Sequence, residues 1–570
     1  MIDKKLNKRE RYKAQMRPID FYEQFETLDF ENLGEGDRYF LQDFGIFNID
    51  FLEDEFTIRI RVPGGRITSE QFIALATIID AYDLEMILTA RAGIQLSGVE
   101  AENVLEVFKK VNETGLSTWQ SFGDNIRNIV GDVYDGVGLY GELEAYPLMM
   151  AMQEYILKNP QYVGLLPRRI SVGISGNRAN LLSLFANDLY FQLAQKDDVY
   201  GYKVYMGGKN TEVAQDSDIF LLEDEVLDFF KAFVETFNQN GSRFSRSKTR
   251  LFYLLEDIGM EGFKAKLQEQ YQKPFVSGAE IMLQKGDFEV NTSLKDGTYS
   301  FSYQSDFGRV SAQELQTLAQ VAKDEACEIR FGIDQNIYFL GLKAPLTTLV
   351  SPTKSQNILA CAGSEYCPYA FWSIKDESYL LPLDKINEHN ITIGFSGCAK
   401  GCGRHRHTDI GLIGLKTNNF GDTEGGVRVF IGAEHSFGKS VNTMLFSMVP
   451  LVSIHKVLST MIAIFEKSGY RDYETYVSEV VSTYSIEFYA LWILANLENN
   501  SSDKLEKNSA GLLRFEQEKA LLLSVYGSST FISSIDESFK TTISEMSQKL
   551  WFVEGKDPNY KPPIERTNFR

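Results

Sequence analysis

Phe56-Thr57-Ile58-Arg59-Ile60-Arg61-Val62-Pro63-Gly64-Gly65-Arg66-Ile67-Thr68 opens a stretch, Phe56–Gly98, that returns without a gap as Tyr299–Gly341, with Gly65 falling on Gly308. Each copy starts as an alternating strand, with Phe56, Ile58 and Ile60 matched by Tyr299, Phe301 and Tyr303. A Gly-Arg turn follows, Gly65-Arg66-Ile67-Thr68 and Gly308-Arg309-Val310-Ser311. Thr68 with Gln71, and Ser311 with Glu314, have the spacing of a helix capping box. Apolar residues then recur at helical spacing: Phe72, Leu75, Ala76, Ile79 and Leu315, Leu318, Ala319, Ala322. Each copy closes with a strand ending at Gly98 or Gly341. Periodicity alone is common. A gapless match through strand, turn, cap and helix marks a duplication, and with it an α+β fold made of two related halves. The copies then diverge. Arg59 and Arg61 share the strand face opposite Phe56, Ile58 and Ile60, and become Ser302 and Gln304, while Arg91 becomes Asp334. One half keeps a cationic face.

At 570 residues the chain is too long for one core. Hydrophobic content of 44% and charged content of 24% are those of a globular protein. The net charge of −20, from 58 basic and 78 acidic residues, disfavours a nucleic-acid partner. No apolar run follows Met1–Glu10 and none of about 18 residues occurs elsewhere, so neither a signal peptide nor a membrane span is expected. Five cysteines make no disulfide scaffold, and a cytoplasmic chain keeps them as thiols or metal ligands.

Four of those cysteines form two tight pairs, Cys361 with Cys367 and Cys398 with Cys402. A cubane iron–sulfur cluster needs four thiolates, whereas a zinc site more usually shows a C-x2-C spacing. Cys327 is expected to be a buried core thiol. Arginines gather in the first 250 positions: Arg59, Arg61, Arg91, Arg127 in Gly123-Asp124-Asn125-Ile126-Arg127-Asn128, Arg168, Arg169, and the run Arg243–Arg250 that holds Arg246. In an acidic chain such a set points to an anionic ligand, since arginine forks match carboxylates and oxyanions. Gly207-Gly208-Lys209 reads as a hairpin or a close backbone approach. No G-x-G-x-x-G or Walker pattern is present.

Together these residues resemble the siroheme-dependent nitrite and sulfite reductases, from about Tyr39 to about Tyr470. The resemblance rests on Arg59–Gly65, Leu88–Arg91, Asp124–Asn128, Leu166-Pro167-Arg168-Arg169, Gly207-Gly208, the Arg243–Arg250 run, the cysteine pairs and Asp409–Gly414. It implies a duplicated, pseudo-two-fold α+β architecture with ferredoxin-like half-domains and two siroheme/Fe–S-binding α/β domains. The divisions it suggests are an arm at 1–45, half-domains at 46–115 and 286–350, a siroheme and substrate domain at 116–285, a cluster domain at 351–484 and a helical extension at 485–570. Within the extension, Glu498–Asp503 reads as a linker and Ala510–Val525 and Ile535–Leu550 as helices.

The resemblance also implies roles. Cys361, Cys367, Cys398 and Cys402 hold a [4Fe–4S] cluster, with Cys402 bridging to the siroheme iron. Arg61, Arg91, Arg168, Arg246 and Arg250 meet the carboxylates of siroheme. Arg59, Arg127, Arg169 and Ser171 face the substrate oxyanion. The implied reaction is six-electron reduction of nitrite to ammonium, with electrons from ferredoxin or a similar donor, in a cytoplasmic monomer. Sulfite reductases of the family carry Lys-x-Lys where this chain has Arg169-Ile170-Ser171, so nitrite is favoured over sulfite. A non-catalytic cluster and siroheme protein is the reading from another class. Lys400 stands where the family usually has Asn, and Arg404-His405-Arg406-His407 reads as a solvated loop, a cofactor-tuning element or a donor-docking patch.

Overall fold

Both capping boxes form. Gln71 N donates to Thr68 Oγ1 and Thr68 N to Gln71 Oε1, starting the helix Ser69–Ala81. Ser311 and Glu314 do the same for the helix Ala312–Glu325. Every apolar position read from the spacing is buried in both helices. The computed structural model describes residues 6–49, 52–354, 357–417 and 424–483, with 486, 489, 490 and 493. These form two units, one running to Thr353 with Ser436–Gly438, the other taking the described residues from Lys354 on apart from those three. The extension beyond 485, with its two expected helices, lies outside the described residues except at those four positions.

In the first unit, the first copy supplies β1 (Ile46–Ile49), β2 (Leu52–Ile60), β3 (Arg66–Ile67), β4 (Glu85–Leu88) and β5 (Ile94–Glu100). Next come β6 (Ile126–Val130), β7 (Ile170–Ser175), β8 (Leu189–Lys196), β9 (Val199–Met206), β10 (Gln215–Leu221) and the short β11 (Glu280–Ile281). The second copy supplies β12 (Asn291–Ser293), β13 (Tyr299–Tyr303), β14 (Arg309–Val310), β15 (Glu328–Phe331) and β16 (Ile337–Leu342). The copies do not close on themselves. Their sheets run β1-β2-β5-β4-β14 and β12-β13-β16-β15-β3, so each ends on a strand lent by the other. Arg309 and Val310 pair with Ile87 and Met86, and Ile67 and Arg66 pair with Ile329 and Arg330. The Gly-Arg turn that betrayed the repeat is the crossing segment itself. Gly65 sits at φ +72°, and a Cβ there would lie 2.0 Å from the Phe331 carbonyl oxygen of the other copy, so only glycine lets the chains meet.

The third sheet of this unit runs β10-β9-β8-β7-β6, with β11 on β8. Strands β6, β7 and β8 are parallel, and β9 and β10 antiparallel. Its core is apolar on every element, with Ile129, Val172 and Phe191 packed among Met152, Phe233 and Leu255. The second unit repeats this plan with β17 (Ile358–Ala360), β18 (Ile393–Ser396), β19 (Ile410–Thr417), β20 (Glu424–Ile431) and β21 (Thr443–Pro450). Again three strands are parallel and two antiparallel. The register agrees as well, with Val172 opposite Leu189 and Ile393 opposite Ile410. Among the described residues, no helix is long and apolar enough to cross a membrane.

Candidate active site and metal centre

In the first unit the site residues stand at the starts of β6 and β7 and on β2. Arg127 is the second residue of β6, and Arg168 and Arg169 immediately precede β7. Arg59 stands opposite Gln95 across β2 and β5, and its Nη2 donates to Gln95 Oε1. Arg127 donates from Nη1 to Ser121 O at 2.5 Å and from Nη2 to Gly123 O at 3.0 Å. Its Nε is buried with no hydrogen-bond partner among the described residues. Arg91 donates to Asn187 Oδ1 at 3.1 Å. Burial, and then the charges of Arg169, Arg59, Arg91 and Arg168, push Arg127 well below its ordinary range. Five of the arginines read from the sequence are therefore brought together, close enough to repel. Arg127 is buried and the other four are half-buried, with Asp124 3.6 Å from Arg168, and such a cluster of like charge on a chain of net charge −20 suits an anion. A polycarboxylate macrocycle fits this donor set.

Four other residues from the sequence reading do not belong to that open cluster. Arg61 has no exposed surface. It donates to Gln153 Oε1 at 2.7 Å and to the carbonyls of Gln120, Ile126 and Arg127. Burial lowers it to about 9. It is a strut under the start of β6, which carries Arg127, and its expected contact with a siroheme carboxylate is corrected. Arg246 forks onto Asp124, with bonds of 2.7 and 2.6 Å, and Arg250 onto Asp188, with bonds of 2.9 and 2.8 Å. Both guanidiniums already hold a protein carboxylate, so neither needs one from a cofactor.

Ser171 requires the largest correction. It is fully buried. Its hydroxyl donates to Asp188 Oδ2 at 2.7 Å and accepts from Asp188 N at 3.1 Å, while its own N donates to the same carboxylate. The second unit contains the identical arrangement. Thr392 N and Oγ1 both donate to Asp409 Oδ2 at 2.8 Å, and Asp409 N donates to Thr392 Oγ1. Ser171 is thus one of a pair of clips that join the second parallel strand to the start of the third. It does not present its hydroxyl to a substrate, and the argument for nitrite cannot rest on it.

The sequence reading missed the acids and a lysine that set the cluster. Asp124 is fully buried, and burial alone would raise it, but Lys13 and Arg246 hold it well below the usual carboxylate range. Lys13, on the helix Lys8–Gln15, reaches Asp124 at 3.2 Å and Leu166 O at 2.7 Å. Asp43 is pushed up to about 7 by burial and then by Asp124. Gly207-Gly208 lies in the hairpin that joins β9 to β10, closed by the Lys209–Glu212 bridge, and is also a close approach of backbone to backbone. A Cβ on Gly208 would lie 2.3 Å from the carbonyl oxygens of Asn187 and Phe185, and Arg250 Nη2 donates to Gly208 O.

In the second unit, Cys361 directly follows β17 and Cys398 lies two residues beyond β18, at the ends of neighbouring parallel strands. Gly397 N donates to Cys361 Sγ at 3.0 Å, and Gly363 N also favours that thiolate. Tyr369 and Ala370 do the same for Cys367, and Lys400 for Cys398. Backbone N–H groups aimed at sulfur are what a ligand thiolate requires. Burial, with a contribution from Cys402, nevertheless raises Cys361 to about 12 and Cys398 to about 11. Metal binding would reverse this. The count of four thiols and the N–H donors fit a cluster. Cys327 is buried and lies outside the quartet, raised to about 11 by burial.

Lys400 places its Nζ 2.8 Å from the centre of the Tyr369 ring and favours the thiolates of Cys367 and Cys398. Arg404, His405 and His407 are buried. His405 Nδ1 lies 3.0 Å from Ser396 Oγ, and burial followed by Arg406 lowers it to about 3. The segment is neither a solvated loop nor a docking patch.

The chain matches two family models, the nitrite and sulphite reductase 4Fe-4S domain at residues 122–275 and the nitrite/sulfite reductase ferredoxin-like half domain at 52–114 and 293–345. It is 28% identical to the ferredoxin–nitrite reductase of Synechococcus elongatus, over 80% of this chain and 96% of that protein. It is 27% identical to the chloroplastic ferredoxin–nitrite reductase of Oryza sativa, over 64% and 67%. The solved structure of the Mycobacterium tuberculosis NirA protein shares the fold, with a TM-score of 0.72 at 21% identity, covering 82% of this chain and 97% of that one.

Proposed function

The chain belongs to the nitrite and sulfite reductase family, and from that premise we propose that it reduces nitrite to ammonium by six electrons, with reduced ferredoxin as donor. The cofactors are siroheme and a [4Fe–4S] cluster. The observation that carries the reading is the cluster of buried Arg127 with half-buried Arg59, Arg91, Arg168 and Arg169. An anion bound among them would offset their mutual repulsion. In this proposal Arg91 and Arg168 hold siroheme carboxylates. Arg59, Arg127 and Arg169 take the oxyanion and stabilise the negative charge that grows as oxygen leaves. Cys361, Cys367, Cys398 and Cys402 hold the cluster. Cys402, the exposed member of the four, would be the fourth ligand of that cluster. Bound together, the two cofactors supply the electron path and the reducing centre. Arg61, Asn128 and Asp124 keep the arginines in place. Asn128 accepts from Val62 N and donates to the carbonyls of Val62 and Arg91, tying β2 to β6.

The preference for nitrite is supported by the relatives rather than by Ser171. A cytoplasmic monomer served by a separate donor belongs to the same proposal, and gel filtration of the holoenzyme checks the oligomeric state. The main test is anaerobic purification, a visible spectrum, and turnover with a chemical reductant. Siroheme absorption and stoichiometric ammonium from nitrite are expected. A spectrum without siroheme, or efficient sulfide formation with negligible ammonium, overturns the reading.

A further inference from the structure

Arg59 and Arg127 carry the same charge and meet at one ring. The Arg59 guanidinium carbon lies 4.5 Å from the centre of Phe122, and that of Arg127 lies 4.9 Å from it. Phe47 on β1 stacks on Phe122 at 4.6 Å with the planes 15° apart, and Arg59 also sits 5.4 Å from the Phe47 ring. Arg127 donates to the carbonyls of Ser121 and Gly123, the residues on either side of Phe122. Phe122 O accepts from Asn125 Nδ2 at 2.8 Å, which pins the loop.

An aromatic face attracts cations through its quadrupole but has no net charge. A carboxylate in the same place would hold both arginines as firmly and would cancel the field that an oxyanion needs. The ring holds them and leaves both charges intact. We propose that Phe122, stacked on Phe47, is a positioning residue: a neutral platform that holds Arg59 and Arg127 side by side with their full charge available to the substrate oxyanion. This rests on the reading of those two arginines as oxyanion ligands.

The test uses the holoenzyme and the variants Phe122→Leu and Phe122→Tyr, with Phe122→Met in reserve should the leucine variant fail to fold. Leucine keeps the bulk and removes the π face. Losing both cation–π contacts is expected to raise KM for nitrite about tenfold, with kcat within about twofold. Tyrosine is expected to restore KM to within about twofold of the parent. An unchanged KM in Phe122→Leu, a loss confined to kcat, or a tyrosine variant as impaired as leucine overturns the platform. Arg127→Gln reports on the premise. If it leaves KM unchanged, the oxyanion role fails, and the platform is then read from melting temperatures. Shifts for Phe122→Leu, Arg127→Gln and the double variant that fall short of adding support it, and strictly additive shifts overturn it.

Discussion

Ser171→Ala separates a structural hydroxyl from a substrate-binding one. The substitution removes a charge-assisted bond to Asp188 Oδ2 and leaves Asp188 N without its acceptor in a fully buried place. A bond to a charged group contributes about 1.5–3 kcal/mol, and an orphaned buried N–H costs about 1–3 kcal/mol, so a loss of about 3 kcal/mol is expected. If the first unit unfolds as one body of roughly 350 residues with about 2.1 cal/mol/K each, this lowers Tm by about 4 °C. Ser171→Thr should recover most of it, because Thr392 makes the same clip with Asp409. Differential scanning calorimetry of the holoenzyme measures the shift, and steady-state kinetics with nitrite and sulfite measure the other arm. The expected KM for nitrite stays within about twofold. A tenfold rise in KM at unchanged Tm would falsify the clip and return Ser171 to the substrate.

Gly65→Ala forces a left-handed φ on alanine and drives its Cβ into the Phe331 carbonyl; a loss of about 3 kcal/mol or more is expected in chemical denaturation. Asp43 is raised from 3.8 to about 7, so the native state holds a proton that the unfolded chain has lost. Stability then falls as pH rises from about 4 to 7, by up to about 4 kcal/mol. Asp43→Asn should flatten that slope, and an unaltered slope in pH-dependent melting sinks the assignment. Cys361→Ser should abolish cluster binding, read as iron and acid-labile sulfide, whereas Cys327→Ser should leave both at parental levels.

The duplication was legible because the crossing segment cannot drift freely: Gly65 and its partners must suit the other copy as well as their own. The cysteine pairs were legible by spacing, which their places after β17 and β18 explain. Less could be read where the decisive partner lies far along the chain. Arg246 and Arg250 looked like cofactor ligands until Asp124 and Asp188, 122 and 62 positions away, were seen to hold them. Lys13 reaches Asp124 across 111 positions. Four consecutive basic residues at Arg404–His407 suggested solvent, and the fold buries three of them. The second duplication, of the two parallel-stranded sheets, survives in strand register and in one Ser/Thr–Asp clip, neither of which leaves a recognisable motif.

The lent strands also govern how this protein is made. The free edge of β4 is complete when Leu88 leaves the ribosome, but its partner Arg309 arrives about 220 residues later, roughly 10–40 s at 5–20 residues per second. Throughout that interval an unfinished sheet presents open hydrogen-bonding groups to its surroundings. A ribosome-bound fragment ending before residue 309 should therefore engage chaperones that the complete chain escapes, and neither half of the duplication should persist as a separate gene product.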